Sequence, residues 1–323
     1  MHQINNQFLR SHYAKQERKI IRKSGNIIGG IILAALLFID IISEIIGEVI
    51  IAFSEYYIID YTLTSYALQI ALSAMLFVPP FFIMANVQGF RVRDLFVRKK
   101  VPFLTNTSII LSGFMLCLAI NIVTNYWVQF LESLGMNTQY SGLPEPATIY
   151  ETIIWIFTIS VMPAIVEEFA FRVVVLGSLR RFSDSFAIFA SAALFGLVHG
   201  NFIQIPFAFL IGLVFAYVTI NTGSVIPAII IHFLNNFNSC IMALIGKNFP
   251  LYVQVLVSYG IIIVVGILGA LSLKYLSKKH MLSKQLYKPE CLTSAPMAFG
   301  AFFSSPFIIA LTAILVIGAI LLV

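Results

Sequence analysis

The sequence predicts an all-helical protein that crosses a membrane about eight or nine times, and three observations carry that reading. Composition is the first. Of 323 residues, 59% are hydrophobic and only 11% are charged, where soluble domains carry about 25% charged residues. Apolar runs of near-spanning length also recur along the whole chain, and short strands of alternating residues are absent, which excludes a barrel. Finally, the net charge of +6 comes from basic residues that bracket those runs; this suits a membrane face rather than nucleic acid. The three cysteines, Cys117, Cys240 and Cys291, are scattered without a CxxC pair, which argues against a disulfide framework or a zinc ribbon.

Taken in order, the apolar runs lie around 26–46, 64–87, 104–128, 150–177, 185–201, 204–221, 224–245, 251–273 and 303–323, the fifth and sixth being the shortest. The polar, basic start ending in Lys19-Ile20-Ile21-Arg22-Lys23 precedes the first run without a small-residue cleavage pattern, so it reads as an uncleaved signal anchor. Its basic residues alternate with Phe8, Leu9, Ile20 and Ile21, a pattern suited to an anionic leaflet or to a solvated arm. The last residues, Ile-Leu-Leu-Val, carry no prenylation box. With the N-terminus in the cytoplasm, the inside segments are the N-terminal arm, 88–103, 178–184, 222–223 and 274–302. They hold 18 of the 20 basic residues, all but Arg172 and Lys247. That bias predicts an N-inside, multi-pass protein of the cell membrane. The chain divides into 1–149, a basic arm with three spans; 150–245, a four-helix core; and 246–323, C-terminal spans joined by a basic loop.

Two early features are ambiguous by composition. Asp40, Glu44 and Glu48 share one helix face, either as a polar groove or as an amphipathic extension beyond the hydrocarbon. The purely apolar stretch Ile27 to Ile39 is short for a span, a shortfall that snorkelling by Arg22 and Lys23 would reduce. Pro79-Pro80 in the second run predicts a kink whose freed carbonyls need partners.

The fourth run holds the charges that need a reason. In Ile165-Val166-Glu167-Glu168-Phe169-Ala170-Phe171-Arg172, two carboxylates and an arginine sit at membrane depth, where an unpaired charge costs at least a few kcal/mol. Glu168 and Arg172 are four residues apart in the favourable order and can pair. Glu167 points about 100° away around the helix, which leaves it as the working carboxylate; the alternative is a structural ion pair that locks two helices.

Two of the five histidines, His199 and His232, fall inside spans. Phe195 lies four residues before His199, so its ring can pack beneath that imidazole, and His232 shares a face with Asn236. Gly196 and Gly200 permit a close neighbouring helix. Ser183, in the turn Arg180-Arg181-Phe182-Ser183-Asp184-Ser185, is the midpoint of Glu167 and His199. A hairpin turning there puts both at one depth, roughly 24 Å along each helix. Counted from Gly223, His232 and Asn236 lie at about 14 and 20 Å. All four groups therefore fall in one band of the membrane.

These three spans resemble a known family. Glu167-Glu168-x-x-x-Arg172, Phe195-x-x-x-His199 and His232-x-x-x-Asn236 look like the three motifs of the CAAX-protease and bacteriocin-processing (CPBP, or Abi) intramembrane proteases, which include the type II CAAX prenyl endopeptidases. The resemblance covers about 163–240, and every motif position is filled. It implies an endopeptidase that hydrolyses a peptide bond of a membrane-associated or lipidated substrate. In that reading Glu167 and His199 activate water, His232 and Asn236 stabilise the oxyanion, and Glu168, Arg172 and Phe195 support them. Oxyanion donors gain strength where water is scarce, yet hydrolysis needs water, so a polar cavity must reach this band from one face. If a metal is bound, Zn²⁺ held by Glu167, His199 and His232 is the candidate. No His-Glu-x-x-His pair is present, however, and asparagine is a poor zinc ligand, so a metal-free glutamate mechanism suits the residues better. Two other classes remain open on the residues alone. A non-catalytic scaffold or bacteriocin-immunity factor would bind a membrane partner, and an ion-coupled transporter would use the same polar groups, though no pair of matching broken helices marks two halves.

Overall fold

Without water to satisfy the backbone, apolar runs of membrane length close their hydrogen bonds internally and become helices. The computed structural model describes residues 2–54, 60–95, 101–138, 142–281, 286 and 293–321, and among these there is no strand. Arg98, Lys99, Lys100, Lys284, Lys288 and Cys291 lie outside the described residues, as do the side chains of Phe8, Leu9 and Arg10. The helices are α1 (His2–Ser54), α2 (Tyr61–Val87), α3 (Phe103–Ser133), α4 (Ile149–Leu179) and α5 (Asp184–Leu197). They are followed by α6 (Gln204–Thr222), α7 (Ile226–Asn248), α8 (Leu251–Lys278), α9 (Ala295–Phe303) and α10 (Pro306–Leu321).

Seven of these are long and apolar enough to cross a membrane, or eight if the bent pair α9–α10 counts as one span. The chain is therefore a polytopic helical membrane protein. The fifth apolar run accounts for the difference from nine. Helix α5 has 14 residues, about 21 Å, against a hydrocarbon core of about 30 Å. The last run forms α10 alone, and α9 falls in the segment 274–302 expected as a cytoplasmic loop; the two meet at Ser304–Ser305 with a 73° bend. Helix α1, in contrast, is a single rod of 53 residues, about 80 Å long and far in excess of the membrane. Asp40, Glu44 and Glu48 are exposed along it. Arg22 does not turn to lipid headgroups. Its Nε and Nη2 donate to the carbonyl of Ser304 at 3.3 and 2.9 Å, satisfying the C-terminal end of α9.

Local chemistry sets the ends that matter. Thr148 accepts from the Glu151 amide at 3.2 Å while Glu151 accepts from the Ala147 amide at 2.7 Å, a reciprocal cap that starts α4. Ser183 caps α5 by accepting from Phe186 N at 3.0 Å, which makes the α4–α5 turn as tight as its sequence suggests. Gly223 closes α6 in the left-handed conformation, φ +67°. Helix α2 is interrupted at Val78, between Tyr61–Phe77 and Pro79–Val87, and runs on as one span; the prolines remove the donors for the carbonyls of Met75 and Leu76.

Contacts gather the basic segments at one end of the bundle. Arg181 Nη2 donates to Ser24 Oγ at 2.7 Å and to Gln88 Oε1 at 3.3 Å, and Asn221 Nδ2 donates to the Met281 carbonyl at 2.8 Å. Gly177 approaches Leu95, so a Cβ there would lie 3.3 Å from the leucine. At the opposite end Tyr66 donates to the Pro144 carbonyl at 2.7 Å, and Lys247 to that of Pro146 at 3.0 Å. Between the ends α4 is central. It packs on α2, α5 and α7, and its stretch from Ala170 to Leu176 is wholly buried. A chain of edge-on rings, Phe81–Phe171–Phe195–Phe215, runs from α2 through α4 and α5 to α6 with centroids 5.7, 5.2 and 6.4 Å apart.

Candidate active site

Helix α4 is not uniform. It widens to π-helical turns at Phe157–Val161 and at Phe169–Val175, on either side of the segment Met162–Glu168 that carries both carboxylates. Such bulges concentrate at functional sites because they free backbone groups and re-aim side chains. Here the freed groups find side chains of neighbouring helices. Pro163 has no N–H for the carbonyl of Ile159 four residues earlier, and that carbonyl instead accepts from Asn236 Nδ2 of α7 at 3.2 Å. In the second bulge the Phe171 carbonyl accepts from the buried hydroxyl of Ser191 on α5 at 2.9 Å.

Glu168 and Arg172 do pair. Glu168 Oε2 lies 3.0 Å from Arg172 Nε, and both side chains are 0% exposed. The attraction is ionic rather than a directed hydrogen bond, because none of the guanidinium N–H groups meets an aligned acceptor among the described residues. Aromatic faces share the charge: the Arg172 Cζ is 4.5 Å from the Phe195 ring centroid and 5.5 Å from that of Phe215.

The second oxygen of Glu168 takes His232. Its Oε1 is 3.1 Å from His232 Nδ1, and on the other side of the imidazole His232 Nε2 is 3.9 Å from Glu167 Oε2. Glu167 is thus not left apart from its neighbour. The two ring nitrogens diverge, so one imidazole sits astride both carboxylates even though these leave the helix in different directions. Phe215 stacks on the same imidazole, with centroids 5.0 Å apart and planes inclined by 22°. Nothing in the sequence singles out Phe215, since an aromatic on an apolar helix is ordinary.

His199 does not ride on a helix. Helix α5 ends at Leu197, and the His199 amide bonds to the Gly196 carbonyl, three residues back. That orphans the carbonyl of Phe195, which accepts from His199 Nδ1 at 2.7 Å. A carbonyl only accepts, so Nδ1 carries the proton and a neutral ring keeps its lone pair on Nε2. The Phe195 ring meets the imidazole edge-on at 5.0 Å and lies 6.0 Å from that of His232, so one phenyl group stands between the two histidines. The following turn is pinned by Asn201, which donates to the His199 carbonyl at 3.2 Å and accepts from Gln204 N at 2.8 Å. Trp127 of α3 also holds it, donating to the Phe202 carbonyl at 2.9 Å. Gly196 does permit close packing, since a Cβ there would sit 2.9 Å from the Ile205 carbonyl. Gly200 has another role. It has open space around it and φ +67°, a turn conformation costly for residues with a Cβ.

The structure therefore brings Glu167, Glu168, Arg172, Phe195 and His232 into one cluster. His199 borders it through the Phe195 ring, and Asn236 borders it through α4. His199 makes no direct hydrogen bond or ion pair with Glu167 among the described residues. No three His, Cys, Asp or Glu groups converge there in a metal-holding arrangement among the described residues. Both histidines engage Nδ1, with the Phe195 carbonyl and with Glu168, and so leave Nε2 as the nitrogen open to another partner.

Residues 149–238, which contain α4, α5, α6 and the first half of α7, match the family described as type II CAAX prenyl endopeptidase Rce1-like. Comparison with curated proteins and with solved structures gives no match. This segment holds all three motifs and the cluster they build, and through it the chain is similar to the Rce1-like family of type II CAAX prenyl endopeptidases.

Proposed function

We propose that the protein is an intramembrane endopeptidase in which Glu167 and His199 activate water while His232 and Asn236 receive the oxyanion. The observation that carries the reading is graded burial within one cluster. Glu168 and Arg172 are closed off, His232 is 4% exposed, and Glu167 is 16% exposed, so one carboxylate is open to a small molecule and the other is not. Water between Glu167 and the Nε2 lone pair of His199 loses a proton as its oxygen attacks the scissile carbonyl. The carbonyl oxygen gathers negative charge facing the Asn236 amide and His232, which donates from Nε2 only as the doubly protonated ring because its Nδ1–H is held by Glu168. Collapse breaks the C–N bond, and the proton taken from water passes to the departing nitrogen. Glu168 and Arg172 hold the His232 ring in place. No step runs through a metal.

The substrate class follows from the surroundings. An apolar cleft of about 270 Å³ lies along the α4 face of Ile165, Val166, Phe169 and Val173, closed by Val78 and Phe82 of α2, Val225 of the α6–α7 turn and Ile229 of α7. It suits the lipid chain of a modified peptide or a membrane-embedded segment. The clustering of basic residues at one end supports a cytoplasmic N-terminus. The test is cleavage of a quenched, farnesylated peptide by the purified protein in proteoliposomes. Glu167→Gln and His199→Ala are each expected to lower kcat by about 10³-fold while the protein inserts and melts normally. Full cleavage by Glu167→Gln removes the proposal. Cleavage is also expected to persist after exhaustive chelation, without stoichiometric zinc in the protein; loss on chelation with recovery on zinc would overturn the metal-free route.

A further inference from the structure

Behind Asn236 stand two more carboxamides, neither part of the three motifs. Asn235 is 2% exposed and its Nδ2 donates to Asn236 Oδ1 at 3.3 Å. Asn121, on α3, donates from its Nδ2 to Asn235 Oδ1 at 3.0 Å. Beyond Asn121 lies a cavity of about 400 Å³ between α3, α7 and α8, with Asn125, Asn238, Ser239 and Ser258 also on its walls. Polar side chains facing one another at membrane depth are costly unless they pair or are hydrated, and this chamber is large and polar enough for several waters.

The links have a direction. The Ile159 carbonyl, left without its helical donor by Pro163, can only accept, so Asn236 must turn Nδ2 towards it. That leaves Asn236 Oδ1 facing Asn235, which must then present Nδ2 and keep Oδ1 for Asn121. A carboxamide reversed at any link sets oxygen against oxygen. An oxyanion needs the amide end of Asn236, and a flipped Asn236 would offer it a carbonyl instead.

We propose that Asn235 and Asn121 are positioning residues that fix the polarity of the Asn236 carboxamide, with the hydrated chamber behind Asn121 satisfying the far end of the relay. The catalytic consequence rests on the endopeptidase reading above; the polarity itself does not. Two measurements therefore keep the two apart.

The first is the side-chain amide spectrum of the full-length protein in micelles, labelled with ¹⁵N-asparagine and with the Asn236 pair identified by its loss in Asn236→Ala. Asn121→Asp and Asn235→Asp, which accept but cannot donate, are expected to displace the Asn236 pair. Asn125→Asp, on the same cavity but outside the relay, is expected to leave it in place, and Asn121→Gln, which keeps a donor, is expected to restore it. An Asn236 pair unmoved by Asn121→Asp overturns the relay, whether or not the protein cleaves anything. The second is cleavage of the farnesylated peptide. Asn121→Asp and Asn235→Asp are expected to lower kcat by about tenfold or more with KM within about twofold, and their effects are expected not to add. A raised KM with unchanged kcat, or equal losses in Asn125→Asp, overturns the positioning role.

Discussion

Two arginine–carboxylate pairs, both four residues apart, follow each other closely along the chain and behave as opposites. Glu168–Arg172, at 3.0 Å, is 0% exposed on both sides, whereas Arg180–Asp184, at 2.8 Å, leaves its arginine 30% exposed. The outer pair makes an aligned hydrogen bond across the α4–α5 turn. It places a cation at the end of α4 and an anion at the start of α5, where each complements a helix dipole. The inner pair has no aligned bond of its own, and its partners come from other helices: His232 of α7 for the carboxylate, Phe195 of α5 and Phe215 of α6 for the guanidinium. The same local spacing thus fastens a turn in one place and holds the His232 imidazole in the other. Burial makes the difference, because only a desolvated charge depends on every neighbour it has.

That contrast can be broken in order of cost. Arg172→Met leaves Glu168 buried without its cation and is expected to destabilise the fold by about 3–5 kcal/mol, read as denaturant or thermal unfolding in micelles. Replacing both members, Glu168→Leu with Arg172→Met, is expected to recover most of that loss, since a buried pair exchanged for apolar groups is often near neutral. Cleavage stays lost because His232 keeps no Nδ1 partner. A double variant as unstable as the single one would mean that the charges are part of the fold itself. Phe215→Leu removes the ring stacked on His232 and beneath Arg172, at an expected cost of about 1 kcal/mol and a several-fold fall in kcat. Arg180→Ala is expected to cost less than about 1 kcal/mol, shrinking further in high salt, because solvent already screens that arginine. An Arg180 effect as large as that of Arg172 would erase the distinction.

The sequence by itself determined the membrane class, the helices of spanning length and the pairing of Glu168 with Arg172. Each follows from a local rule: hydrocarbon thickness fixes how long an apolar run must be, and helical periodicity brings residues four apart together. Counting residues along antiparallel helices also predicted Glu167, His199, His232 and Asn236 in one band; the structure brings His232 within 3.9 Å of Glu167 and leaves His199 across the Phe195 ring. The tertiary structure decided what counting cannot reach. Helix α5 ends before His199, since the Phe195 carbonyl is satisfied by the imidazole and Gly200 takes a left-handed turn. Pro163 has no N–H for the Ile159 carbonyl, and that carbonyl engages Asn236 from another helix. Phe215, Asn235 and Asn121 look like ordinary residues of apolar helices until α3, α6 and α7 close around α4. Their contacts join residues far apart in the chain, and where water is scarce it is those distant partners that fix which polar atoms face one another.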